Sequence, residues 1–299
     1  MLTKLLPWQP NAIDKQLIDL AFAEDLGLPF KDITTLTLFS GLTGISKAKI
    51  ISKHPEPSLL CGLPVLEAIL GQFNQESGEC QLHSDYQDGD VILPGAELLS
   101  ILAPAQVLLS CERILLNFLQ RLCAVATITR KFVDRISHTQ TKILDTRKTT
   151  PGFRHLEKYA VQCGGGVNHR MGLYDAIMVK DTHVDLLGGM SKALDKLPET
   201  ITQEYPVIIE VRSLSELDIV LEEGLSKVSR VLLDNMSTAL MQECVILCQG
   251  VMKTEASGNV DFETVAAIAE TGVDFISIGK LTHSAGNIDL SMRGDLKHE

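Results

Sequence analysis

The chain of 299 residues is longer than one average domain and long enough to hold a barrel together with a smaller unit. Hydrophobic residues make up 45% of it and charged residues 22%, proportions that are ordinary for a globular protein and that exclude a largely disordered chain. The formal net charge is -11, and an acidic surface repels a phosphate backbone. We therefore expect no nucleic-acid partner.

The sequence contains no uncharged apolar run of about eighteen residues, and residues 1–14 lack the long apolar segment of a secretion signal. We expect neither a transmembrane helix nor a signal peptide, and no membrane partner. The seven cysteines are an odd number without framework spacing, which is typical of free thiols in a reducing cytoplasm. Cys244 and Cys248 share a predicted helix face, but no second ligand pair accompanies them, so buried thiols are a better interpretation than a metal site.

The N-terminal part of the chain has the mixed pattern of an α/β domain. Apolar side chains recur at helical spacing over residues 12–26, and a glycine and a proline follow as a stop signal. Alternation of apolar and polar residues predicts strands within 47–53 and 88–102, and residues 62–73 are predicted to form a helix between them. An uninterrupted helical pattern over 112–137 then marks the candidate domain boundary.

Six short apolar runs follow near residues 143, 178, 209, 232, 254 and 276, at separations of 35, 31, 23, 22 and 22 residues. Helical patterns such as 214–224 and 261–272 lie between the later runs. This spacing of strand, helix and strand predicts a parallel sheet built from βαβ units. We favour a barrel over an open doubly wound sheet, because the first run lacks the glycine-rich turn that usually follows the first strand of the latter.

Each of the six runs is followed by a polar residue or a glycine. In a β/α barrel these strand ends open on one face, which is the face where active sites are built. One pocket is therefore expected to collect all six residues, namely Arg147, Lys180, Glu210, Asp234, Ser257 and Gly279.

Residues 147–180 locally reverse the sign of the charge, since six basic and two acidic residues give a formal +4 (six minus two). Clustered cations focus the field that a phosphorylated or carboxylated ligand experiences, whereas the alternative is a solvated basic helix face. Glycines 164–166 would let the backbone approach an anion. The basic residues are Arg147, Lys148, Arg154, Lys158, Arg170 and Lys180.

Two acids on neighbouring strand ends, Glu210 and Asp234, suit Mg²⁺, because this ion prefers one or two carboxylates together with phosphate and water. The turn at 257–259 is predicted to open a helix at Asp261, whose backbone N–H groups would bind a terminal phosphate. An alternative reaction is Schiff-base chemistry at Lys180, since a desolvated strand-end lysine is a nucleophile. Each feature alone has a structural explanation, such as a helix cap for the acids.

The stretch 145–181, DTRKTTPGFRHLEKYAVQCGGGVNHRMGLYDAIMVKD, resembles the core signature of the quinolinate phosphoribosyltransferase family, the carboxylating nicotinate-nucleotide diphosphorylases of NAD synthesis. The similarity continues through AEDLG, DITT, CGLPV, LLDNM, EASGN and GVDFISIGKLTHS and covers nearly the whole chain. The fold class that it implies is α/β, with an N-terminal α/β sandwich domain (1–114, rejoined by 286–299) and an open, incomplete parallel α/β barrel (115–285). It also implies a homodimer in which the partner's N-terminal domain completes each active site.

The resemblance implies that quinolinate and phosphoribosyl diphosphate are converted to nicotinate mononucleotide, carbon dioxide and diphosphate. Arg147, His169 and Arg170 match the family positions that hold the two quinolinate carboxylates, a task that suits the planar guanidinium group. Arg113 matches an arginine that reaches the site from the neighbouring subunit.

The resemblance also implies how the second substrate is bound. Lys148 and Lys180 match lysines around the diphosphate and the ring, where they would stabilise charge electrostatically. Glu210 and Asp234 match the acids that would hold Mg²⁺. The 5′-phosphate end would be received by Ser257, Gly258, Gly279 and His283.

The sequence departs from the family pattern at Thr182, at Ile208 and at residues 285–287. Two other functions compete with the leading one. The first is a related enzyme of the same fold, linked to molybdenum transport, that acts on another anionic base or nucleoside. The second is a dimeric scaffold or ligand sensor without activity, which would not require Lys148, Glu210 or Asp234.

Overall fold

The computed structural model describes residues 8–40, 44–73 and 80–295. The chain divides into two compact units. The first comprises Met1–Ile128, Thr150–Gly165 and Ser284–Glu299, and the second comprises Thr129–Thr149 and Gly166–His283. Among the described residues, no helix has both the length and the apolar character needed to cross a membrane. Residues 1–7, part of the stretch for which we predict no secretion signal, lie outside the described residues.

The first unit contains an antiparallel four-stranded sheet in the order β12-β1-β5-β3. Its strands are β1 (Ile45–Ser52), β3 (Gln81–His83), β5 (Glu97–Pro104) and β12 (Leu290–Asp295), and β2 (Ser58–Leu59) pairs separately with β4 (Val91–Ile92). The helices are α1 (Ala12–Leu26), α2 (Ile33–Leu38), α3 (Leu63–Gly71), α5 (Arg154–Cys163) and most of α4 (Ala105–Arg135). This mixed architecture confirms the predicted fold class of the N-terminal part.

Local signals explain two of these helices. Helix α1 begins at a reciprocal capping box between Asn11 and Asp14 and ends at Gly27, and its bounds match the predicted 12–26. Helix α3 has no side-chain cap of its own at Gly62, where φ is 122°. Instead, the Asp88 carboxylate accepts hydrogen bonds from the backbone N–H groups of Gly62 (2.9 Å) and Leu63 (3.1 Å). The side chain that caps α3 is therefore distant from this helix in the sequence.

The second unit contains six parallel strands, and all six correspond to the predicted apolar runs. They are β6 (Lys142–Leu144), β7 (Ile177–Val179), β8 (Val207–Val211), β9 (Arg230–Asp234), β10 (Lys253–Ser257) and β11 (Phe275–Ser277). The helices are α6 (Asp181–Leu187), α7 (Met190–Asp195), α8 (Glu199–Glu204), α9 (Leu214–Glu223), α10 (Thr238–Cys248), α11 (Val265–Ala269) and α12 (Lys280–His283).

The sheet order β6-β11-β10-β9-β8-β7 confirms an open barrel. From β7 to β11 each strand pairs with the next in sequence, and the first strand, β6, pairs with the last, so the chain winds in one direction as in a barrel. A doubly wound sheet would reverse direction. The sheet order leaves β6 and β7 at opposite edges, and Val167 extends the sheet there by bridging to Leu144.

Two sequence predictions differ from the structure. The compact units divide within α4 after Ile128 rather than after residue 114, and Thr150–Gly165 returns to the first unit. The predicted helix start at Asp261 is wrong, because α11 begins only at Val265. The Asp261 carboxylate instead accepts hydrogen bonds from the N–H (2.9 Å) and hydroxyl (2.8 Å) of Thr264, so a carboxylate occupies the position where a phosphate was expected.

Helix α5 returns to the first unit partly through an ion pair. The fully buried Glu157 accepts hydrogen bonds at Oε1 from Nη2 (2.6 Å) and Nε (3.1 Å) of Arg121, and Thr150 also donates to this carboxylate. Breaking a buried pair leaves an uncompensated charge. These contacts join residues far apart in sequence, so no periodicity reveals them.

We expect Arg121→Ala to lower the free energy of unfolding by about 3 kcal/mol, because it leaves the Glu157 carboxylate buried without its cation. Urea denaturation measures the loss. The matched control is Lys49→Ala, which removes the more exposed Lys49–Glu97 pair (2.8 Å) and should change stability by about 0–1 kcal/mol. A loss in Arg121→Ala no larger than that of the control would contradict the assignment.

Candidate active site

A cavity of about 270 Å³ opens at the carboxyl ends of the parallel strands in the second unit. Its size lies near the lower end of the range for small-molecule sites. Its lining carries positive, negative and neutral polar groups. The lining residues are Thr146, Arg147, Lys148, His169, Arg170, Met178, Lys180, Glu210, Leu232, Asp234, Glu255, Ser257 and Ser277.

Strand periodicity explains which side chains reach this cavity. In β9, Leu232 and Asp234 line it, and in β10 the lining residues are Glu255 and Ser257. Residues two apart on a strand point to the same face. The parallel register pairs Leu232 with Glu255 and Asp234 with Ser257, so the two strands present their cavity-facing residues side by side.

The segment before Arg170 is anchored to β6. The fully buried Asp145 accepts a hydrogen bond at Oδ1 from the backbone N–H of His169 (2.8 Å), and Val167 exchanges backbone hydrogen bonds with Ile143 (2.8 Å) and Asp145 (3.2 Å). Consequently the chain that carries Arg170 runs along the free edge of the sheet rather than as a loose loop.

The two arginines of the cavity are crowded. Nη1 of Arg170 donates to the carbonyl of Ala176 (3.0 Å). Burial, and then the positive charge of Arg147, lower the pKa of the Arg170 guanidinium below its ordinary value, while Asp175 opposes this shift. Two cations held close together in a partly desolvated place are stabilised by an anionic ligand.

The acids of the cavity are crowded in the same way. Burial, and then the negative charges of Asp234 and Asp181, raise the pKa of the Glu210 carboxyl, while Lys180 and Arg212 act in the opposite direction. Oδ2 of Asp234 accepts a hydrogen bond from the Asn235 side chain (2.8 Å). A partly buried pair of carboxylates that repel each other fits a divalent cation with oxygen ligands.

A third carboxylate, Glu255, is fully buried and paired. Its Oε2 is 2.8 Å from Nη1 of Arg230, and its Oε1 accepts a hydrogen bond from Ser277 and lies 3.3 Å from Nε2 of His169. Burial acts to raise the pKa of Glu255. His169, Ser277 and Arg230 together outweigh this effect, so the pKa lies below its ordinary value.

Most of the predicted site residues meet in this cavity, namely Arg147, Lys148, His169, Arg170, Lys180, Glu210, Asp234 and Ser257. Gly279 lies beside Lys148 and His283, because a Cβ added to it would be 3.0 Å from Cδ of Lys148 and 3.1 Å from Nε2 of His283. Gly258 lines a separate cavity of about 430 Å³. Arg113 belongs to the first unit, where it is exposed on α4.

The predicted basic cluster does not gather in one place. Arg154 and the fully buried Lys158 lie on α5 in the first unit, so only four of the six basic residues line the cavity. Position in the sequence alone did not distinguish the basic residues on helix α5 from those that follow strands β6 and β7. Gly164 ends α5 and Gly165 donates its N–H to Gln162, and the predicted anion-binding glycines are not among the cavity-lining residues.

Sequence reasoning missed several lining residues, among them Met178, Leu232, Glu255 and Ser277. A usable signal existed, because Met178, Leu232 and Glu255 each lie two positions before a predicted strand-end residue. Glu255 is the most informative of them, since a carboxylate is unexpected in the middle of a strand that is buried on both faces.

The departures from the family pattern lie outside the residues assigned to ligands. Thr182 is exposed in the first turn of α6, and its N–H donates to Asp181 (2.6 Å). Ile208 is buried in β8, opposite Met178 and Arg230 in the register. Residues 285–287 belong to the first unit, where the Gly286 carbonyl accepts from Arg121 (3.2 Å).

Family comparisons match both parts of the chain. The model described as quinolinate phosphoribosyl transferase, N-terminal domain, matches residues 32–123, and the model described as its C-terminal domain matches residues 125–293. The chain belongs to the quinolinate phosphoribosyltransferase family. The resemblance seen in stretch 145–181 is thereby confirmed.

Similar members of the quinolinate phosphoribosyltransferase family share more than a third of their residues with this chain. Quinolinate phosphoribosyltransferase [decarboxylating] 1b of Nicotiana tabacum is 36% identical over 97% of this chain and 84% of its own length. The solved nicotinate-nucleotide pyrophosphorylase of Francisella tularensis is 36% identical, with a TM-score of 0.87 over 98% of this chain and 100% of its own. The solved NadC of Streptococcus pyogenes is 35% identical, with a TM-score of 0.87 over 97% and 98%.

We expect Glu210→Gln to raise the free energy of unfolding at pH 7 in protein kept free of divalent metal ions. Because the pKa of Glu210 is raised above its ordinary 4.5, the folded state binds this proton more tightly than the unfolded state does. The charged carboxylate therefore destabilises the folded protein above the raised pKa, and this loss disappears as the pH falls below 4.5. Urea denaturation at pH 7 and at pH about 4 measures both regimes.

The control for this prediction is Glu263→Gln at an exposed position, which should change stability by less than about 0.5 kcal/mol. Equal stabilities of Glu210→Gln and the unmodified protein at pH 7 would contradict the prediction.

We expect Gly258→Ala to destabilise the protein more than Gly250→Ala does. The two glycines have φ values of +95° and +80°, so both variants strain the backbone, which costs about 1–2 kcal/mol. Only at Gly258 would the new Cβ overlap the side-chain amide of Asn235, whereas nothing lies within 4 Å at Gly250. The overlap should add about 1–3 kcal/mol in urea denaturation, and equal losses would count against a close Gly258–Asn235 contact.

Proposed function

We propose that this protein is a decarboxylating quinolinate phosphoribosyltransferase that converts quinolinate and phosphoribosyl diphosphate to nicotinate mononucleotide, carbon dioxide and diphosphate. The single observation that carries the proposal is the pairing of opposite charges around one cavity. Arg147 and Arg170 crowd one part of it, and Glu210 and Asp234 crowd another. Such a cavity suits a dianionic base beside a metal-bound phosphorylated sugar.

Quinolinate recognition is assigned to the two arginines, with His169 beside them. A guanidinium binds a carboxylate through two parallel N–H bonds, so Arg147 and Arg170 together suit two carboxylates on adjacent ring atoms. The anion would also relieve the repulsion that lowers the Arg170 pKa. The family relationship supports this assignment, since the relative from Nicotiana tabacum is named for quinolinate.

Catalysis is assigned to positioning and electrostatics. Lys148 and Lys180 line the cavity and would balance the charge of the departing diphosphate as C1 of the ribose becomes cationic. Once its nitrogen is alkylated, the pyridine ring is an electron sink, and the adjacent carboxylate leaves as carbon dioxide with little assistance. Holding the two substrates in line therefore supplies much of the rate enhancement.

Glu210 and Asp234 are the residues that would hold Mg²⁺, and their fit rests on the raised pKa of Glu210 beside Asp234. When bound, Mg²⁺ neutralises diphosphate charge and orients the ribose hydroxyls. Ser257, Gly258, Gly279 and His283 are assigned to the 5′-phosphate. The absence of a side chain at Gly279 leaves room beside Lys148 that a Cβ would fill.

Two rival activities are less well supported. A Schiff-base mechanism needs a desolvated lysine, and Lys180 is exposed. A related enzyme of the same fold acting on another anionic base would not need two arginines arranged for a dicarboxylate.

The direct test supplies protein, Mg²⁺, phosphoribosyl diphosphate and quinolinate and measures carbon dioxide release. We expect turnover with quinolinate and none with nicotinate, which lacks the second carboxylate. Turnover with nicotinate alone would overturn the substrate assignment. Binding of quinolinate without any turnover would instead favour a ligand sensor.

We further propose a cytoplasmic homodimer with shared active sites. All seven cysteines fall within the described residues and are free thiols, which fits a reducing compartment.

Helices α1 and α2 expose large apolar side chains, including Leu20 (63%), Ile33 (68%) and Leu38 (68%), and such a surface is typical of an interface. We propose that a second copy of this chain packs against this apolar surface of α1 and α2. The exposed Arg113 would then reach the partner's site.

Mixing two inactive variants tests the shared site. We expect Arg113→Ala and Lys148→Ala each to abolish most activity, and a mixture of the two to regain part of it. Hybrid dimers would contain one site with both residues intact. Turnover after subunit exchange, verified by mass spectrometry of the mixed dimer, is the measurement. No recovery despite verified exchange would contradict a site built from two subunits.

A further inference from the structure

Glu255 is a buried carboxylate that the proposed reaction does not use. It lies in the middle of β10, is 0% exposed and still contributes to the cavity lining. Removing a carboxylate from water is unfavourable unless it is paired and hydrogen-bonded. The function of Glu255 must therefore be sought in the groups that it contacts.

The partners of Glu255 fix its orientation. Nη1 of Arg230 lies 2.8 Å from Oε2, and the same guanidinium stacks over the ring of Phe275 at 4.2 Å. The Ser277 hydroxyl donates to Oε1. Because one oxygen is held by a cation that is itself stacked and the other by a hydroxyl, the carboxylate cannot rotate freely, and Oε1 faces Nε2 of His169 at 3.3 Å.

The two ring nitrogens of His169 are both engaged by the protein. Nδ1 accepts the backbone N–H of Arg170 at 2.6 Å, and Nε2 faces Glu255. A nitrogen that accepts an N–H carries no proton, so the ring proton is assigned to Nε2. The contact of Nε2 with the Glu255 carboxylate is electrostatic, at 3.3 Å and without the alignment of a hydrogen bond. Only 6% of this side chain is exposed, which leaves little of it for contact with a ligand.

We propose that Glu255 is a positioning residue for dicarboxylate recognition, which acts through His169 to hold the backbone of Arg170 in place. The inference rests on the proposed function, because it takes a dicarboxylate as the ligand of Arg170. His169 then serves as a connector between Glu255 and Arg170 rather than as a direct ligand of the substrate.

The charges in the cavity explain why Arg170 needs such support. Arg147 repels the Arg170 guanidinium, as the lowered pKa of Arg170 reflects, so an unrestrained loop would move the two apart. Asp145 holds the N–H of His169 (2.8 Å), His169 holds the N–H of Arg170, and Ala176 holds the guanidinium (3.0 Å). Holding both arginines in place before binding removes an ordering cost from the affinity.

The kinetic test is Glu255→Gln, with Glu270→Gln as the matched control. Glu270 also lies 3.1 Å from a histidine of the same unit, His138, but that pair is exposed. We expect Glu255→Gln to raise the KM for quinolinate roughly tenfold, because it removes the negative charge that faces Nε2 of His169, with kcat and the KM for phosphoribosyl diphosphate within about twofold. Glu270→Gln should change none of them. An unchanged KM for quinolinate, or equal rises for both substrates, would overturn the proposal.

A double-mutant cycle separates this role from a general structural one. In His169→Asn the amide oxygen replaces Nδ1 and still accepts the Arg170 N–H, but the link to Glu255 is cut. Glu255→Gln should therefore raise the KM for quinolinate no further in the His169→Asn background. A full additional rise of about tenfold would show that Glu255 acts by another route and would overturn the proposal.

Two measurements keep the test independent of turnover and of folding. In ¹⁵N spectra of histidine-labelled protein, His169 should carry its proton on Nε2, and a proton on Nδ1 would overturn the proposal whatever the enzyme converts. Failure of the proposed function would instead appear as absent turnover with this tautomer intact. If Glu255→Gln alone does not fold, because Arg230 is left unpaired, Arg230→Gln/Glu255→Gln removes both charges and should show the same selective rise in KM.

Discussion

Repulsion between like charges is the constraint on which this cavity depends. Burial and the nearby Arg147 lower the pKa of Arg170, and burial together with Asp234 and Asp181 raises that of Glu210. Both shifts show that the folded chain holds charges where they are less stable than in water. An anion bound at the arginines and a cation bound at the acids would relieve both, and part of the free energy lost in folding the site would then be recovered on binding.

The parallel strands provide the rigid frame that this crowding requires. Strands β9 and β10 each place two residues in the cavity lining, and the register aligns Leu232 with Glu255 and Asp234 with Ser257. The frame is not purely apolar, because Arg230 and Glu255 form an ion pair among the strands. A buried pair contributes little net stability, and its value lies in fixing the groups around it. Here the fixed group is His169, and through it the chain that carries Arg170.

Most of the strands were predictable because each is a short apolar run with a polar group or glycine after it, and both signals are local; β10, with the sequence KTEAS, is the exception. The site was predictable to the extent that those strand ends converge, which holds for Lys180, Glu210 and Asp234. Predictions from sequence failed where the same residue type occurs in two different structural settings, such as an aspartate at a helix start or in a loop, and a lysine on the surface or in the core. Asp261 was predicted to begin a helix, but its carboxylate accepts hydrogen bonds from Thr264, and helix α11 begins only at Val265. Lys158 counted as part of a basic surface but is buried in the first unit.

By itself the sequence determined the strand positions, the open-barrel class and the family, because apolar periodicity, strand-end residues and a long signature are all written within short stretches of chain. Only the tertiary structure decided which compact unit carries residues 150–165 and which partner holds Glu255. Those outcomes depend on contacts such as Arg121 with Glu157 and His169 with Glu255, whose members are far apart in sequence. The free energy of such a pair depends on burial and geometry, and neither exists until the chain has folded.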